Sequence, residues 1–103
     1  MELNKENWEN EVRSYNDVIV VDFWADWCMP CKMFEPVFKE LANEMKDIKF
    51  GKLNVDKNQK IAEEHRIMSI PTIIIFKNGK EVKRLIGFQP KERLKKEIQE
   101  VLE

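Results

Sequence analysis

The stretch 18–31, VIVVDFWADWCMPC, limits the possible folds of this chain more than any other part of the sequence. It begins with four consecutive β-branched residues, and apolar residues resume at Phe23 after a single acid, Asp22. Such a run predicts a strand buried on both faces, as in parallel sheets covered by helices. The only two cysteines, Cys28 and Cys31, follow at once, and an apolar helical pattern begins behind them. The sequence therefore predicts a pair of thiols where a buried strand meets a helix.

The spacing of the two cysteines points to redox chemistry. Two cysteines separated by two residues in the first turn of a helix can close a small disulfide ring. The unpaired N–H groups and the positive end of the helix dipole favour a thiolate at Cys28, the form that attacks disulfides. We expect Cys31 to be the more buried of the two, to stay protonated until needed, and to resolve the mixed disulfide. Met29 and Pro30 complete the ring, and the fixed φ of Pro30 suits a first helical turn.

The remaining pattern alternates helices and strands. An apolar stripe predicts a helix behind the cysteines, which Pro36 should kink. A second strand at 48–55 would complete a βαβ unit with parallel strands. Asn78-Gly79 predicts a two-residue hairpin turn after the apolar run 73–76. Further helices are predicted at 4–15, 59–66 and 90–102. These elements indicate an α/β fold with a central mixed sheet flanked by helices on both faces.

Composition and charge exclude several classes of function. The 103 residues are enough for one domain, spanning 1–103. A net charge of −1, with both signs interleaved, argues against a nucleic-acid binder. No apolar run approaches the ~20 residues of a membrane span, and the start lacks a leader pattern. We therefore expect a monomeric, cytoplasmic protein without a membrane partner, where a reactive thiol pair fits better than a lasting disulfide.

Other uses of the cysteines have less support. A zinc site needs four ligands, and the chain offers only Cys28, Cys31 and His65. A structural disulfide would stabilise little, because the loop that it closes is short. A metal or cluster shared between two chains remains a further alternative. We expect no resident metal and no cofactor.

Several short segments resemble the thioredoxin family. They are 21–25 (VDFWA), 27–32 (WCMPCK), 52–56 (KLNVD), 70–72 (IPT), 76–79 (FKNG) and Gly87. Together they cover nearly the whole chain in the order of the family. The one departure within the motif is Met29, where the family usually has Gly, and this position influences redox potential and partner choice.

The resemblance implies a thioredoxin fold and an enzyme that reduces disulfides in client proteins. Cys28 and Cys31 would carry the exchange, and a thioredoxin reductase would return the electrons. The family's acid beneath the disulfide corresponds to Asp22, which implies a raised pKa and a role as proton acceptor for Cys31. Lys52 corresponds to the lysine near that acid. From the residues alone, the alternatives are that Asp22 faces solvent at an edge and that Lys52 is a solvated strand residue.

The resemblance also implies a substrate surface. It predicts a cis bond between Ile70 and Pro71, with the residue before the proline pairing with the substrate main chain. Gly87 would leave room for an approaching peptide, although a simple bend is the alternative. The surface would be a shallow apolar patch that accepts extended peptides, and its members are Trp27, Met29, Pro30, Ile70, Pro71 and Gly87.

Two other functions stay open at the level of sequence. One is an oxidoreductase of the glutaredoxin or disulfide-isomerase type, although those families usually carry other residues at the positions of Met29 and Pro30. The other is a redox-independent docking subunit of a larger complex, whose function would survive loss of both cysteines.

Overall fold

A five-stranded sheet organises the protein, and the computed structural model describes all residues, 1–103. The strand order is β1-β3-β2-β4-β5. The strands are β1 (Glu2–Leu3), β2 (Val18–Trp24), β3 (Lys49–Asn54), β4 (Thr72–Lys77) and β5 (Lys80–Ile86). The helices are α1 (Met29–Glu44), α2 (Gln59–Glu64) and α3 (Lys91–Leu102), and a π-helical turn spans Glu9–Arg13.

Strand β2 is the centre of the sheet. It runs parallel to β3 on one side, with Asp22 opposite Lys52, and antiparallel to β4 on the other, with Asp22 opposite Ile73. Four of its residues have no exposed surface: Ile19, Val20, Val21 and Phe23. A strand that is hydrogen-bonded on both edges and covered on both faces needs the continuous apolar run seen in the sequence. The predicted parallel βαβ unit and the mixed sheet are confirmed.

Each face of the sheet is covered by helical elements. On one face α1 and α3 contribute to a core cluster whose buried members are Val18, Val20, Phe34, Phe38, Leu41, Phe50, Ile73, Ile75, Leu85, Leu94 and Ile98. On the other face the π-helical turn and α2 contribute to a second cluster, which contains Leu3, Trp8, Val12, Ile19, Val21, Phe23, Leu53, Ile61, Ile74 and Phe76. The predicted α/β architecture with helices on both faces is confirmed. No helix combines the length and the apolar composition that crossing a bilayer would need.

Two local predictions need adjustment beyond a residue or two at the ends of an element. The helix expected at 4–15 is shorter: the helical segment there is the π-helical turn Glu9–Arg13. Before it, the side-chain oxygen of Asn4 accepts hydrogen bonds from the backbone N–H groups of Glu6 and Asn7. Strand β1 was not predicted, since two residues carry no recognisable pattern. Helix α1 continues through Pro36, as expected for a proline that shapes the helix without ending it. The hairpin turn is confirmed, with positive φ angles of 54° and 80° at its two central residues.

Candidate active site at the start of helix α1

A disulfide joins Cys28 and Cys31 at the first turn of α1. Cys28 is the N-cap residue, with an extended backbone, and its Sγ accepts a hydrogen bond from the backbone N–H of Cys31 at 3.2 Å. The helix therefore presents an N–H group directly to the sulfur that was predicted to be the nucleophile. This contact and the helix dipole both favour negative charge on that sulfur once the disulfide is reduced.

The two cysteines are equally buried. Each is only 3 % exposed, so the expectation that Cys31 would be the more buried is wrong at the level of whole residues. Both belong to a small apolar cluster with Ala25, against which Ile70 packs. Ile70, in the loop before β4, packs against the cluster that contains Cys28. The position of Cys28 at the start of a helix does not predict this contact.

The loop before β4 lies against the disulfide. Its Ile70–Pro71 bond is cis, as predicted, and the carbonyl oxygen of Ile70 lies 3.7 Å from Cys28 Sγ. The carbonyl oxygen of Pro71 accepts a hydrogen bond from Gly87 N–H at 2.8 Å. Gly87 has a φ of 90°, and a Cβ placed there would meet no atom within 4 Å. A positive φ thus explains the glycine, and its outer side is open to solvent.

The predicted substrate patch is only partly at the surface. Trp27 and Met29 are 69 % and 65 % exposed, and Pro30 is exposed as well. Ile70 is half-buried and Pro71 is buried, so the proline lies beneath the surface. The indole N–H of Trp27 donates to a carboxylate oxygen of Asp56 at 2.8 Å, which fixes the orientation of the exposed ring.

Sequence reasoning missed three exposed apolar residues close to these positions. They are Met33, Met68 and Phe88. Met33 lies four residues after Met29 in α1, so the two share a helix face. Met68 precedes Ile70 by two residues in the sequence. Each of the three lies within four residues in sequence of a member of the predicted patch, and this closeness could have identified them.

Asp22 lies in the sheet behind the disulfide and is 1 % exposed, so the alternative of a solvent-facing acid is excluded. It lines a cavity of about 400 Å³ together with Cys31 and Lys52. Burial raises the pKa of Asp22 from its ordinary 3.8 to about 7, although the positive charge of Lys52 opposes the rise. The negative charge of Glu35 contributes to the rise. The raised pKa and the place of Lys52 in the same cavity agree with the prediction, and the role of Asp22 as proton acceptor stays a prediction.

Glu35 was not singled out from the sequence. Its carboxylate accepts a hydrogen bond from Lys52 Nζ, and it lines the same cavity as Asp22 and Cys31. Glu35 lies four residues after Cys31 in α1, which places both on one face of the helix. That spacing was the signal that could have identified it. No cluster of three or more His, Cys, Asp or Glu side chains could hold a metal ion.

Comparison with known proteins decides the family. The sequence model of the family described as Thioredoxin matches residues 1–100. The chain belongs to the thioredoxin family. A thioredoxin of Alicyclobacillus acidocaldarius is 45 % identical over 104 residues, covering 100 % of this chain and 98 % of the relative. A thioredoxin of Mycoplasma genitalium is 48 % identical over 84 residues, 82 % of each chain, and one of Mycobacterium bovis is 45 % identical over 93 residues, covering 89 % of this chain and 80 % of the relative.

Membership of the thioredoxin family makes this protein a thiol–disulfide oxidoreductase. The Cys28–Cys31 disulfide at the start of α1 is consistent with that chemistry. Disulfide-bearing proteins as substrates and a reductase as partner follow from the family in general terms. The resemblance seen in the short sequence segments is confirmed, as is the thioredoxin fold.

Proposed function

We propose that the protein works as a reductant of disulfides in client proteins, with Cys28 as nucleophile and Cys31 as resolving thiol. The observation that carries the proposal is the hydrogen bond from Cys31 N–H to Cys28 Sγ at the N-terminus of α1. It stabilises a thiolate at one cysteine specifically, which gives the pair its direction of attack.

The exchange has two steps. In the first, the Cys28 thiolate attacks one sulfur of the client disulfide, forming a mixed disulfide and releasing the other client sulfur as a thiolate that takes up a proton. In the second, the Cys31 thiol gives its proton to Asp22 and attacks Cys28 Sγ. The mixed disulfide breaks, the second client sulfur leaves as a thiolate that takes up a proton, and the Cys28–Cys31 disulfide forms. Two electrons pass from the protein to the client.

Asp22 suits the proton transfer because its environment holds its pKa near 7. An acid with an ordinary pKa would be ionised at neutral pH and a poor match for a thiol proton. The shared cavity connects Asp22 with Cys31. Lys52 lines the same cavity and moderates the pKa of the acid through its charge.

Substrate contacts would come from the exposed surface around Cys28. Trp27, Met29 and Pro30 offer apolar area beside the nucleophile, and the carbonyl of Ile70 is available for main-chain pairing with an extended client segment. The buried Pro71 follows Ile70 and accepts a hydrogen bond from Gly87 N–H, and Gly87 leaves open space where a side chain would stand.

A thioredoxin reductase would return two electrons to the oxidised pair after each turnover. This cycle fits a reducing compartment such as the cytoplasm, where thiols are maintained by such donors. Met29 between the cysteines would affect the redox potential and the choice of partners.

The test is a trapping experiment with single cysteine variants. Cys31→Ser should accumulate mixed disulfides through Cys28 with a disulfide-bearing protein such as insulin, whereas Cys28→Ser should form none. Failure of Cys31→Ser to trap any client would refute the assigned roles. The reduction potential supplies a second criterion: about −270 mV, a reference value for thioredoxins rather than one obtained from this structure, supports a reductant, and about −180 mV or above indicates an oxidase or isomerase.

A further inference from the structure

In the cavity behind the disulfide, the ammonium group of Lys52 pairs with Glu35 and not with its strand neighbour Asp22. Lys52 is the register partner of Asp22 across the β2–β3 pair and supplies the attractive charge that lowers the pKa of this acid. Its ammonium group is nevertheless bonded to the Glu35 carboxylate of α1 and lies 4.3 Å from the centre of the Trp24 ring. One carboxylate oxygen of Asp22, Oδ1, is buried without any hydrogen-bond partner.

We propose that Glu35 is a positioning residue for the redox reaction: by holding the Lys52 ammonium, it keeps this cation from pairing with Asp22 and so leaves the acid able to take up a proton. The inference rests on the proposed role of Asp22 as proton acceptor and adds a control on that role. A buried carboxyl group without a cation partner favours its protonated form, while a paired one favours its ionised form.

The other groups that face the cavity leave Lys52 as the cation that matters. Asp26, after β2, is acidic, and Lys32 of α1 is a second lysine in the lining. From β4, the neighbour of Asp22 is Ile73, which is uncharged. Lys52 is the cation whose charge opposes the rise of the Asp22 pKa, and Glu35 is the anion that adds to it. Glu35 thus acts on Asp22 both directly and by its hold on Lys52.

The same contact is visible from the side of Glu35. Its pKa is lowered, first by the hydrogen bond from Lys52 and then by the charge of that lysine. Glu35 stays ionised through the pH range in which Asp22 titrates. The side chain of Glu35 is 55 % exposed, so removing it disturbs no core packing. The lysine side chain is long and flexible, and without Glu35 its ammonium is free to turn toward Asp22.

The experiment follows the titration of Asp22 by carboxyl ¹³C NMR in the oxidised protein, where neither cysteine titrates. Glu35→Ala should move the Asp22 midpoint down, on the order of one pH unit. Glu40→Ala is the matched control, because Glu40 is an acid of the same helix that pairs with Lys91 instead. It should leave the midpoint unchanged. Asp22→Asn identifies the signal.

A second background separates positioning from direct repulsion. In Lys52→Met, adding Glu35→Ala should shift the midpoint much less than it does in the parent protein. An unchanged midpoint in Glu35→Ala, or an equal shift in both backgrounds, would overturn the inference. The proposed function has its own readout, the pH profile of the step in which Cys31 resolves the mixed disulfide. If the NMR midpoint moves but that profile does not, Glu35 positions Lys52 as inferred and Asp22 is not the proton acceptor.

Discussion

Replacing Asp22 by Asn should make the oxidised protein more stable at alkaline pH and change the way its stability depends on pH. The acid is buried and its folded-state pKa is about 7, against an ordinary value of 3.8. Between these two values the folded protein holds a proton that the unfolded chain has lost. Folding stability therefore falls as pH rises through this window, and the loss is complete above the folded pKa. Asn carries no proton to lose.

The size of this effect follows from the difference between the two pKa values, which is roughly three units. Each unit corresponds to about 1.4 kcal/mol, so the wild-type protein should lose about 4 kcal/mol of unfolding free energy through this one group. The loss should occur between about pH 4 and pH 8. Burying a neutral amide carries its own cost, but that cost does not vary with pH. The change of stability with pH is therefore the quantity to compare.

Urea unfolding of the oxidised wild-type and Asp22→Asn proteins at a series of pH values measures this quantity directly. The difference in unfolding free energy should grow in favour of the variant as pH rises and level off above about pH 8. Asp47→Asn serves as control because Asp47 is an exposed acid, and its curve should follow the wild type. Parallel curves for wild type and Asp22→Asn would show that the pKa of Asp22 in the folded protein is close to its ordinary value, and would refute the reasoning.

Four further substitutions test other parts of the structure. Gly79→Ala and Gly87→Ala both force a positive φ on alanine, at a cost of about 1–2 kcal/mol each, but only Gly79 would place its Cβ 2.2 Å from the carbonyl oxygen of Arg13. The variant at 79 should therefore be clearly less stable in urea, and equal losses would contradict the steric argument. Phe34→Ala removes a fully buried ring and should cost about 3–5 kcal/mol by the same assay, whereas a loss under 1 kcal/mol would mean that the core closes around the gap. Trp27→Ala should leave the unfolding midpoint nearly unchanged and raise the KM for a protein disulfide about tenfold, and an unaltered KM would exclude Trp27 from the client surface.

The sequence was informative wherever a local pattern carries its own physical reason. The Asn78-Gly79 turn could be predicted because few other residue pairs adopt two successive positive φ angles. The central position of β2 followed from its unbroken apolar run, since only a strand covered on both faces needs one. The spacing and position of the two cysteines predicted redox chemistry. The resemblance to thioredoxins predicted the cis bond before Pro71 and the raised pKa of Asp22.

What the sequence left out depends on contacts between distant segments. The bond between Glu35 and Lys52 forms because α1 packs beside β3, and neither residue shows that partnership in its own neighbourhood. The equal burial of the cysteines has the same origin, because Ile70 covers Cys28 from a loop 42 residues away. Strand β1 is a strand only because β3 offers it a free edge. Such features follow from the assembled fold and not from any single segment.

The closeness of the cysteines in the chain, set against the distance between Cys28 and Ile70, has a consequence for the order of events in folding. A ring between residues three apart can close in an unfolded chain, because almost no loop entropy opposes it. The approach of Ile70 to Cys28 requires the non-local pairing of β2 with β4, which forms only with the sheet. Oxidation of the pair and assembly of the surface that receives clients are therefore separable in time. A newly made chain can carry its disulfide before it has anywhere to hold a substrate, so thiol titration alone does not measure the fraction of active protein.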